Sequence, residues 1–254
     1  NRKCSLGARR AAADAARVER IARPAEVIPI DQHFSRNLDE LVERREKFLT
    51  GYQNEGYARK YRALVELVRG VEKEKAGGAS KLAEAVARYY AKLLAYKDEY
   101  EVARLHSDGE LRKKIEGMFE GDYKVVYHLA PPLLAKVDRL TGEPKKIRFG
   151  SWMGGAFKIL AALRPLRGTV LDLFGYTEER RMERALIREY EDTIARLLVD
   201  LTPQNHAVAL EIASLPEEIR GYGHIKAKSV DAARKKREQL LSSFAQQKSQ
   251  KAAA

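Results

Sequence analysis

Apolar residues recur at spacings of three and four along much of the chain, the spacing that places side chains on one face of an α-helix. A first helical region has the apolar face Leu38, Leu41, Val42, Phe48, Leu49 and Tyr52. The pattern resumes with Tyr57, Tyr61, Leu64, Val68 and Val71. Gly51 and Gly56 predict a break between these two helices, because glycine weakens a helix interior. Gly77 and Gly78 predict the end of the second helix.

A third helix is predicted from Ser80, a residue type suited to the N-cap, to about Leu105. Its apolar positions form a tyrosine-rich face made of Leu82, Val86, Tyr89, Leu93, Tyr96 and Tyr100. A short helix is then expected from about Leu111 to Phe119. These segments predict that the first half of the chain is helical.

The later part of the chain returns to the helical pattern. A short apolar helix is predicted over residues 153–163, and a long helix is predicted to begin after Thr177, with Glu178 and Glu179 in its first turn. The apolar positions of the long helix are Met182, Leu186, Tyr190, Ile194, Leu197 and Leu201. Thr202-Pro203 predicts a further helix start, because proline suits the first turn. A last helix is expected from Ser229.

Between the two helical parts, residues 123–129 alternate between apolar and polar, as in a half-buried strand. Residues 145–149 follow a turn-like segment and are expected to be the returning strand. The fold class predicted is therefore mainly α, a multi-helix domain with a small antiparallel β element near residues 123–149. We divide the chain into an N-terminal remnant and linker (1–35), a helical domain (36–245) and a disordered polar tail (246–254).

The net charge of +12 raises the possibility of a nucleic-acid-binding module. Residues 1–23 carry seven basic and two acidic side chains, and residues 226–254 carry eight and two. The remaining 33 basic and 32 acidic residues leave the middle near +1. A groove that follows phosphates requires a basic body. Nucleic acid is therefore the alternative partner, and the ends of the chain would bind it.

Several common catalytic and cofactor motifs are absent from the sequence. Cys4 is the single cysteine, so the chain cannot supply the thiolates of an iron–sulfur cluster. No glycine-rich nucleotide loop, paired zinc-ligand spacing or nucleophile elbow occurs. No apolar run approaches the length of about 20 residues that spans a bilayer. We expect no metal and no cofactor in this chain, no membrane partner and a cytoplasmic location.

His128 is a candidate for a binding or catalytic role, because it lies on the predicted strand just before Pro131-Pro132. An imidazole there could act as a general base or bind a carboxylate. A lone histidine at a strand end is more often structural, and no acidic partner can be placed from the sequence. Both interpretations stay open.

A charged cluster at the end of the tyrosine-rich helix is the candidate interface. It consists of Lys97, Asp98, Glu99, Tyr100 and Arg104. Tyr100 and Arg104 are four residues apart and therefore share a face. The cluster could contact a partner domain, or it could be a solvated face with its own ion pairs.

Arg180 and Arg184 form the candidate cofactor-binding pair. They lie one turn apart and could bind a phosphate or carboxylate with two hydrogen bonds each. Glu183 lies three residues from Arg180, so an internal ion pair is an equally simple use of the charge.

Six segments of the chain resemble one protein family. They are residues 95–105 (AYKDEYEVARL), 127–134 (YHLAPPLL), 144–150 (PKKIRFG), 166–169 (LRGT), 174–183 (FGYTEERRME) and 219–226 (IRGYGHIK). In this order they resemble the C-terminal region of the fused bacterial indolepyruvate ferredoxin oxidoreductases. The resemblance covers about residues 36–245.

The resemblance implies that the chain belongs to a larger enzyme that oxidatively decarboxylates 2-oxoacids such as arylpyruvates. In that enzyme thiamine diphosphate, iron–sulfur clusters, coenzyme A and ferredoxin take part, and their motifs lie in upstream domains. It therefore implies an accessory domain that contacts the upstream catalytic domains and is not catalytic alone. We also expect a homo-oligomer. The resemblance assigns no catalytic residue to this chain.

Overall fold

The computed structural model of the protein describes residues 35–78, 80–119, 124–129 and 145–252. Of the predicted N-terminal remnant and linker (1–35), residues 1–34 lie outside the described residues. The described part is mainly helical with one small antiparallel sheet, so the predicted fold class is confirmed.

Nine α-helices and two strands follow one another in the described part of the chain. The helices are α1 (Leu38–Tyr52), α2 (Glu55–Lys75), α3 (Lys81–Leu94), α4 (Glu99–Ser107), α5 (Glu110–Met118), α6 (Met153–Ala162), α7 (Glu178–Asp200), α8 (His206–Ser214) and α9 (Gly223–Ala252). The strands are β1 (Tyr127–Leu129) and β2 (Ile147–Phe149). Two 3-10 turns, Arg164–Leu166 and Leu215–Glu218, follow α6 and α8.

Helix α3 lies at the centre of the main hydrophobic core. It packs against α1, α2, α7 and α8, so its side chains are buried on most of its circumference. Alanines at positions 83, 85, 87 and 91 are buried, and their small side chains let neighbouring helices approach closely. The fully buried aromatic on this helix is Tyr90, whereas the predicted Tyr89 is only partly buried.

Helices α1 and α2 form an antiparallel hairpin where the apolar pattern predicts two helices. Asn37 and Asn54 cap them, and each side-chain oxygen accepts a backbone N–H from the first turn, at 2.9 Å in both cases. The helical conformation is interrupted at Gln53 and Asn54, between the two glycines that predict the break.

The predicted single helix from Ser80 to Leu105 is wrong, because the structure has two helices there. α3 ends at Leu94, and α4 begins at Glu99. Asp98 caps the new helix and accepts the N–H of Glu101 at 2.8 Å. The apolar spacing hides this break, because both helices continue to bury tyrosines.

Two later helices begin at positions other than the predicted ones. α8 begins at His206, since Thr202 and Asn205 form a turn in which the Asn205 side chain accepts the N–H of Thr202. α9 begins at Gly223 instead of Ser229 and continues to Ala252. The helix thus includes most of the predicted tail 246–254, because alanine, glutamine and lysine favour helix without burial. The prediction that Thr177 caps α7 is confirmed.

The small sheet packs on a second hydrophobic cluster. β1 and β2 pair antiparallel, with His128 opposite Arg148. Phe157 and Ala161 of α6 and Ala103 of α4 form the cluster, and Tyr127 of β1 packs on it. The described strand begins at Tyr127, later than the predicted residue 123. None of the described helices combines the length and the apolar character that a bilayer crossing requires.

A buried carboxylate from α2 caps the N-terminus of α3. Glu72 is fully buried and accepts the backbone N–H groups of Leu82 and Ala83 at 2.8 and 2.9 Å. The ring of His206 lies 2.7 Å from the same carboxylate. Ser80 occupies the N-cap position as predicted, but its side chain makes no capping hydrogen bond. Glu72 satisfies free amides at the positive end of the helix dipole.

We expect Glu72→Gln to lower the free energy of unfolding by about 1–3 kcal/mol, because an amide NH2 would then face a buried N–H donor. Glu74→Gln, an exposed change in the same helix turn, is the matched control and should cost less than about 0.5 kcal/mol. Urea unfolding followed by circular dichroism measures both. Equal costs for the two variants would contradict the capping role.

His106 lies in the second cluster, stacked on Phe157 at 4.9 Å between ring centres and edge-on to Tyr127 at 5.7 Å. Burial and the nearby Lys97 charge lower the pKa of His106, while Asp108 opposes the change. The folded state therefore binds fewer protons than the unfolded state below pH 6.5, the ordinary value of the group. Stability from this group is full above the unfolded pKa and is lost as the pH falls below it.

We expect the free energy of unfolding to fall more steeply with decreasing pH, below about pH 6.5, in the wild type than in His106→Phe. Phenylalanine keeps the stacked ring but removes the titration. Thermal melts at several pH values compare the two proteins. Parallel pH profiles would contradict the assignment of this titration to His106.

Candidate functional site

Two of the segments that carry the family resemblance, 95–105 and 166–169, meet at one buried arginine, Arg167, which is only 4% exposed. It follows the 3-10 turn after α6 and lies against the end of α1 and the start of α4. Its guanidinium donates through Nε and Nη2 to both carboxylate oxygens of Asp98, the Nη2 bond being 2.9 Å. Nη1 donates to the Tyr52 carbonyl at 2.7 Å.

The surroundings of Arg167 compensate its charge. The guanidinium carbon lies 3.7 Å from the centre of the Tyr52 ring, a close cation–π contact. Burial is the largest single effect and would lower the pKa of Arg167, but the hydrogen bonds with Asp98 and the electrostatic effects of Asp98 and the nearby tyrosines together raise the pKa above its ordinary value. Asp98 is 3% exposed and also caps α4, so one carboxylate binds a charge and begins a helix.

A second buried carboxylate, Asp172, shapes the loop that follows Arg167. It accepts the backbone N–H groups of Gly168 and Gly175 at 2.8 and 3.0 Å. The Tyr100 hydroxyl donates to it at 3.2 Å. A side chain at residue 175 would not fit, since a Cβ atom there would lie 2.6 Å from an Asp172 oxygen. Because glycine has no side chain, the backbone at residue 175 can approach the Asp172 carboxylate closely.

Arg180 and Arg184 are bound internally. Arg180 donates to the two Glu99 oxygens at 3.4 and 3.3 Å and is 9% exposed. Arg184 donates to the Gly175 carbonyl, and its Nη1 lies 3.8 Å from Asp172. The internal use of these charges, one of the two interpretations from the sequence, is thus the one in the structure. The partner of Arg180 is Glu99 and not Glu183, which binds Lys226.

The candidate interface from Lys97 to Arg104 is mostly internal. Asp98 and Tyr100 are each 3% exposed, so their side chains face the chain itself and not a partner. Glu99 binds Arg180, and Arg104 binds Glu101 through two hydrogen bonds of 2.7 and 2.8 Å. Lys97 stays exposed, with its ammonium 5.8 Å from the Tyr222 ring centre. Ion pairs are present as the second interpretation expects, but they are partly buried instead of fully solvated.

His128 is exposed on β1, opposite Arg148, and does not join the Arg167 network. The structure does not bring His128 together with Arg180 or Arg184 in a described contact. Among the described residues, no group of three or more His, Cys, Asp or Glu side chains has the arrangement of a metal site.

Much of the positive charge on the last helix is paired. Lys226 binds Glu183 of α7, and Arg234 and Arg237 both bind Glu189 of the same helix, at 2.6 and 3.0 Å. These ion pairs join α9 to α7, and this charge faces the chain instead of a free surface. The other basic end of the nucleic-acid alternative, residues 1–23, lies outside the described residues.

Sequence reasoning missed Arg167, Asp172 and Glu72 as important residues. Their signal in the sequence is weak: Asp172 is a single charge among apolar residues, Arg167 adjoins a glycine, and Glu72 lies in a run of charged residues that is typical of a solvated helix end. Arg167 and Asp172 do lie in or beside segments of the family resemblance, in LRGT and just before FGYT. A charge flanked by apolar residues and glycine is a usable sign of a buried network.

We expect Asp98→Asn and Arg167→Met each to lower the free energy of unfolding by about 3–5 kcal/mol, because each leaves one buried charge unpaired. Asparagine keeps the N-cap of α4, so the loss in the first variant reports the charge. The double variant should cost less than the sum of the two. Asp39→Asn, in the exposed pair with Arg69, is the control and should cost below about 1 kcal/mol. Additive costs in urea unfolding would contradict the coupling.

Comparison with known proteins gives one match. The family described as "Family of unknown function (DUF6537)" matches residues 38–239, which is most of the chain. No curated protein and no solved structure matches. The matched range extends from the first residue of α1 into α9 and contains the Arg167 network and the small sheet. The chain therefore belongs to the DUF6537 family.

Proposed function

We propose that this chain is an accessory domain of a 2-oxoacid:ferredoxin oxidoreductase and acts by packing on other protein parts. It is not the catalyst by itself. The observation that carries the proposal is the internal use of its charged motif residues. In the proposed role, the domain holds the catalytic domains or the subunit interface of a cytoplasmic, homo-oligomeric enzyme in place.

The segments that resemble the oxidoreductases are linked to one another inside the fold. Residues 95–105 contact residues 166–169 through Asp98 and Arg167, and contact residues 174–183 through Glu99 and Arg180. Lys226 extends the links to the segment 219–226, and the two remaining segments contribute the β-strands. Long-range pairs of this kind explain why such residues stand in these segments without any ligand role. This supports a structural role for the segments.

The resemblance supplies the chemistry of the proposed parent enzyme. Thiamine diphosphate would carry the acyl group of an arylpyruvate, iron–sulfur clusters would pass electrons to ferredoxin, and coenzyme A would accept the acyl group. We assign none of these groups to a residue of this chain. Arg180 and Arg184 remain the pair to test for coenzyme A, because they are the anion-binding candidates of the sequence.

The experiment compares three proteins under anaerobic conditions: the natural polypeptide that contains this sequence, the same polypeptide without residues 37–254, and the isolated 254-residue chain. Reduction of a dye by indolepyruvate and coenzyme A, with thiamine diphosphate added, is measured for each. We expect turnover only in the first, together with loss of assembly in the second. Full turnover and assembly after the deletion, or turnover by the isolated chain, would contradict the proposal.

We expect Arg180→Ala combined with Arg184→Ala to lower the melting temperature of the whole enzyme and to leave the KM for coenzyme A within about twofold. The reason is that both side chains bind groups of their own chain. Arg181→Ala with Arg188→Ala, two exposed arginines of the same helix, is the matched control and should change neither quantity. A KM that rises at unchanged melting temperature would assign coenzyme A binding to Arg180 and Arg184.

A further inference from the structure

Exposed large apolar side chains are concentrated between residues 147 and 176. Of the sixteen such side chains in the described part of the chain, eight lie in this stretch. They are Ile147, Trp152, Ile159, Leu163, Val170, Leu171, Leu173 and Tyr176. Scattered exposed apolar residues are normal, but a concentration of them marks an interaction surface.

The second half of this stretch is a loop with a defined shape, which we call the apolar loop (Val170, Leu171, Leu173 and Tyr176). Val170 is 83% exposed, and Leu171 and Leu173 are 69% and 67% exposed. Asp172 between them points inward, where the Gly168 and Gly175 amides donate to it. The Tyr176 hydroxyl donates to the Val170 carbonyl at 2.7 Å and closes the loop from outside.

The hydrogen bonds of Asp172 therefore fix the loop backbone so that the apolar side chains on either side of Asp172 are exposed to solvent. Each exposed Val or Leu forgoes the favourable free energy that burial of its apolar side chain would give. A loop whose only task were to connect α6 to α7 would gain solubility from polar residues at these positions. A fixed backbone with outward apolar side chains instead loses little entropy when a partner covers it.

The part of the chain that carries most of these apolar residues is basic. Residues 145–171 contain six basic side chains, at 145, 146, 148, 158, 164 and 167, and no Asp or Glu. Asp98 compensates Arg167, whereas Lys146, Arg148 and Lys158 are exposed. Strand β2 adjoins α6, since the Phe149 and Trp152 ring centres are 6.0 Å apart. Two copies of one basic surface would repel in a symmetric dimer.

We propose that the stretch 147–176 is a docking surface for a folded protein partner whose contact area is apolar at the centre and carries carboxylates at its edge. The apolar loop supplies the central contacts, and Lys146, Arg148 and Lys158 supply the complementary charge. The identity of the partner rests on the proposed function: it would be the catalytic part of the oxidoreductase.

The test places the photo-cross-linking residue p-benzoylphenylalanine at Leu171 of the natural full-length polypeptide, in the cells that make it. The matched control carries the same residue at Leu67 of α2, which is 55% exposed and lies outside the stretch. After irradiation, mass spectrometry identifies the linked peptides. We expect Leu171 to link to one protein surface that has Asp or Glu beside the linked residue, and Leu67 to give no such product.

Four results at Leu171 would overturn the proposal: a product with phospholipid, a product with the same loop of a second copy, a product with residues 130–144 of this chain, or no product. The proposed function fails separately. A link to an acidic-edged protein that is no part of a 2-oxoacid:ferredoxin oxidoreductase keeps the docking surface and overturns the proposed function. If the natural polypeptide is an active oxidoreductase but gives no Leu171 product, the proposed function is kept and the docking surface is overturned.

The charge contribution is tested in the same protein. We expect Arg148→Glu with Lys158→Glu to lower the Leu171 cross-link yield by about tenfold, because like charges would then face each other at the edge of the contact. Lys47→Glu with Lys73→Glu, two exposed lysines of α1 and α2, makes the same change in net charge elsewhere and should leave the yield unchanged. An equal loss in both variants would contradict an acidic edge on the partner.

Discussion

The ion pair between Asp98 and Arg167 lies where three parts of the chain meet, and the position of each part depends on it. Asp98 begins α4, and Arg167 binds the carbonyl of Tyr52 at the end of α1. Two buried charges cost several kcal/mol each in lost hydration, and only an attraction with every remaining polar atom satisfied offsets that cost. The pair therefore stabilises one arrangement of these segments and penalises others strongly. Its value lies more in selecting that arrangement than in adding stability.

Buried tyrosines extend the same principle through the helical core. Their hydroxyls donate to backbone carbonyls of neighbouring segments: Tyr52 to Tyr96, Tyr61 to Ala87 and Tyr190 to Ala213, at 2.8 to 3.0 Å. An apolar ring with one polar end fills the core and fixes the axial position of the helix that it contacts. The core packs around α3, and each of these three hydroxyls has a hydrogen-bond partner. The polar groups therefore specify how the helices align, whereas burial of apolar area supplies the stabilisation.

Some charged and some apolar residues of this chain thus occupy roles opposite to those that their chemistry first indicates. Motif arginines such as Arg180 resemble ligand-binding groups but join helices within the fold. Apolar residues such as Leu171 resemble core residues but lie in water. A domain that uses its charge internally and leaves apolar area outside is suited to assembly with other proteins, and this contrast underlies both proposals. The fold and the family membership stand independently of them.

Periodic spacing and capping chemistry are local, so the sequence by itself determined most helices, the cap at Thr177 and the small hairpin with β2. It did not determine which acidic side chain pairs with which basic side chain. Glu183 was the near neighbour of Arg180, yet Glu99 binds it, because the folded chain brings the first residue of α4 beside the first turn of α7. Likewise Glu72, and not Ser80, caps α3, since the hairpin turn after α2 returns the carboxylate to the helix start. Helix formation follows from residues three and four apart, whereas a buried ion pair follows from distances that only the packed helices set.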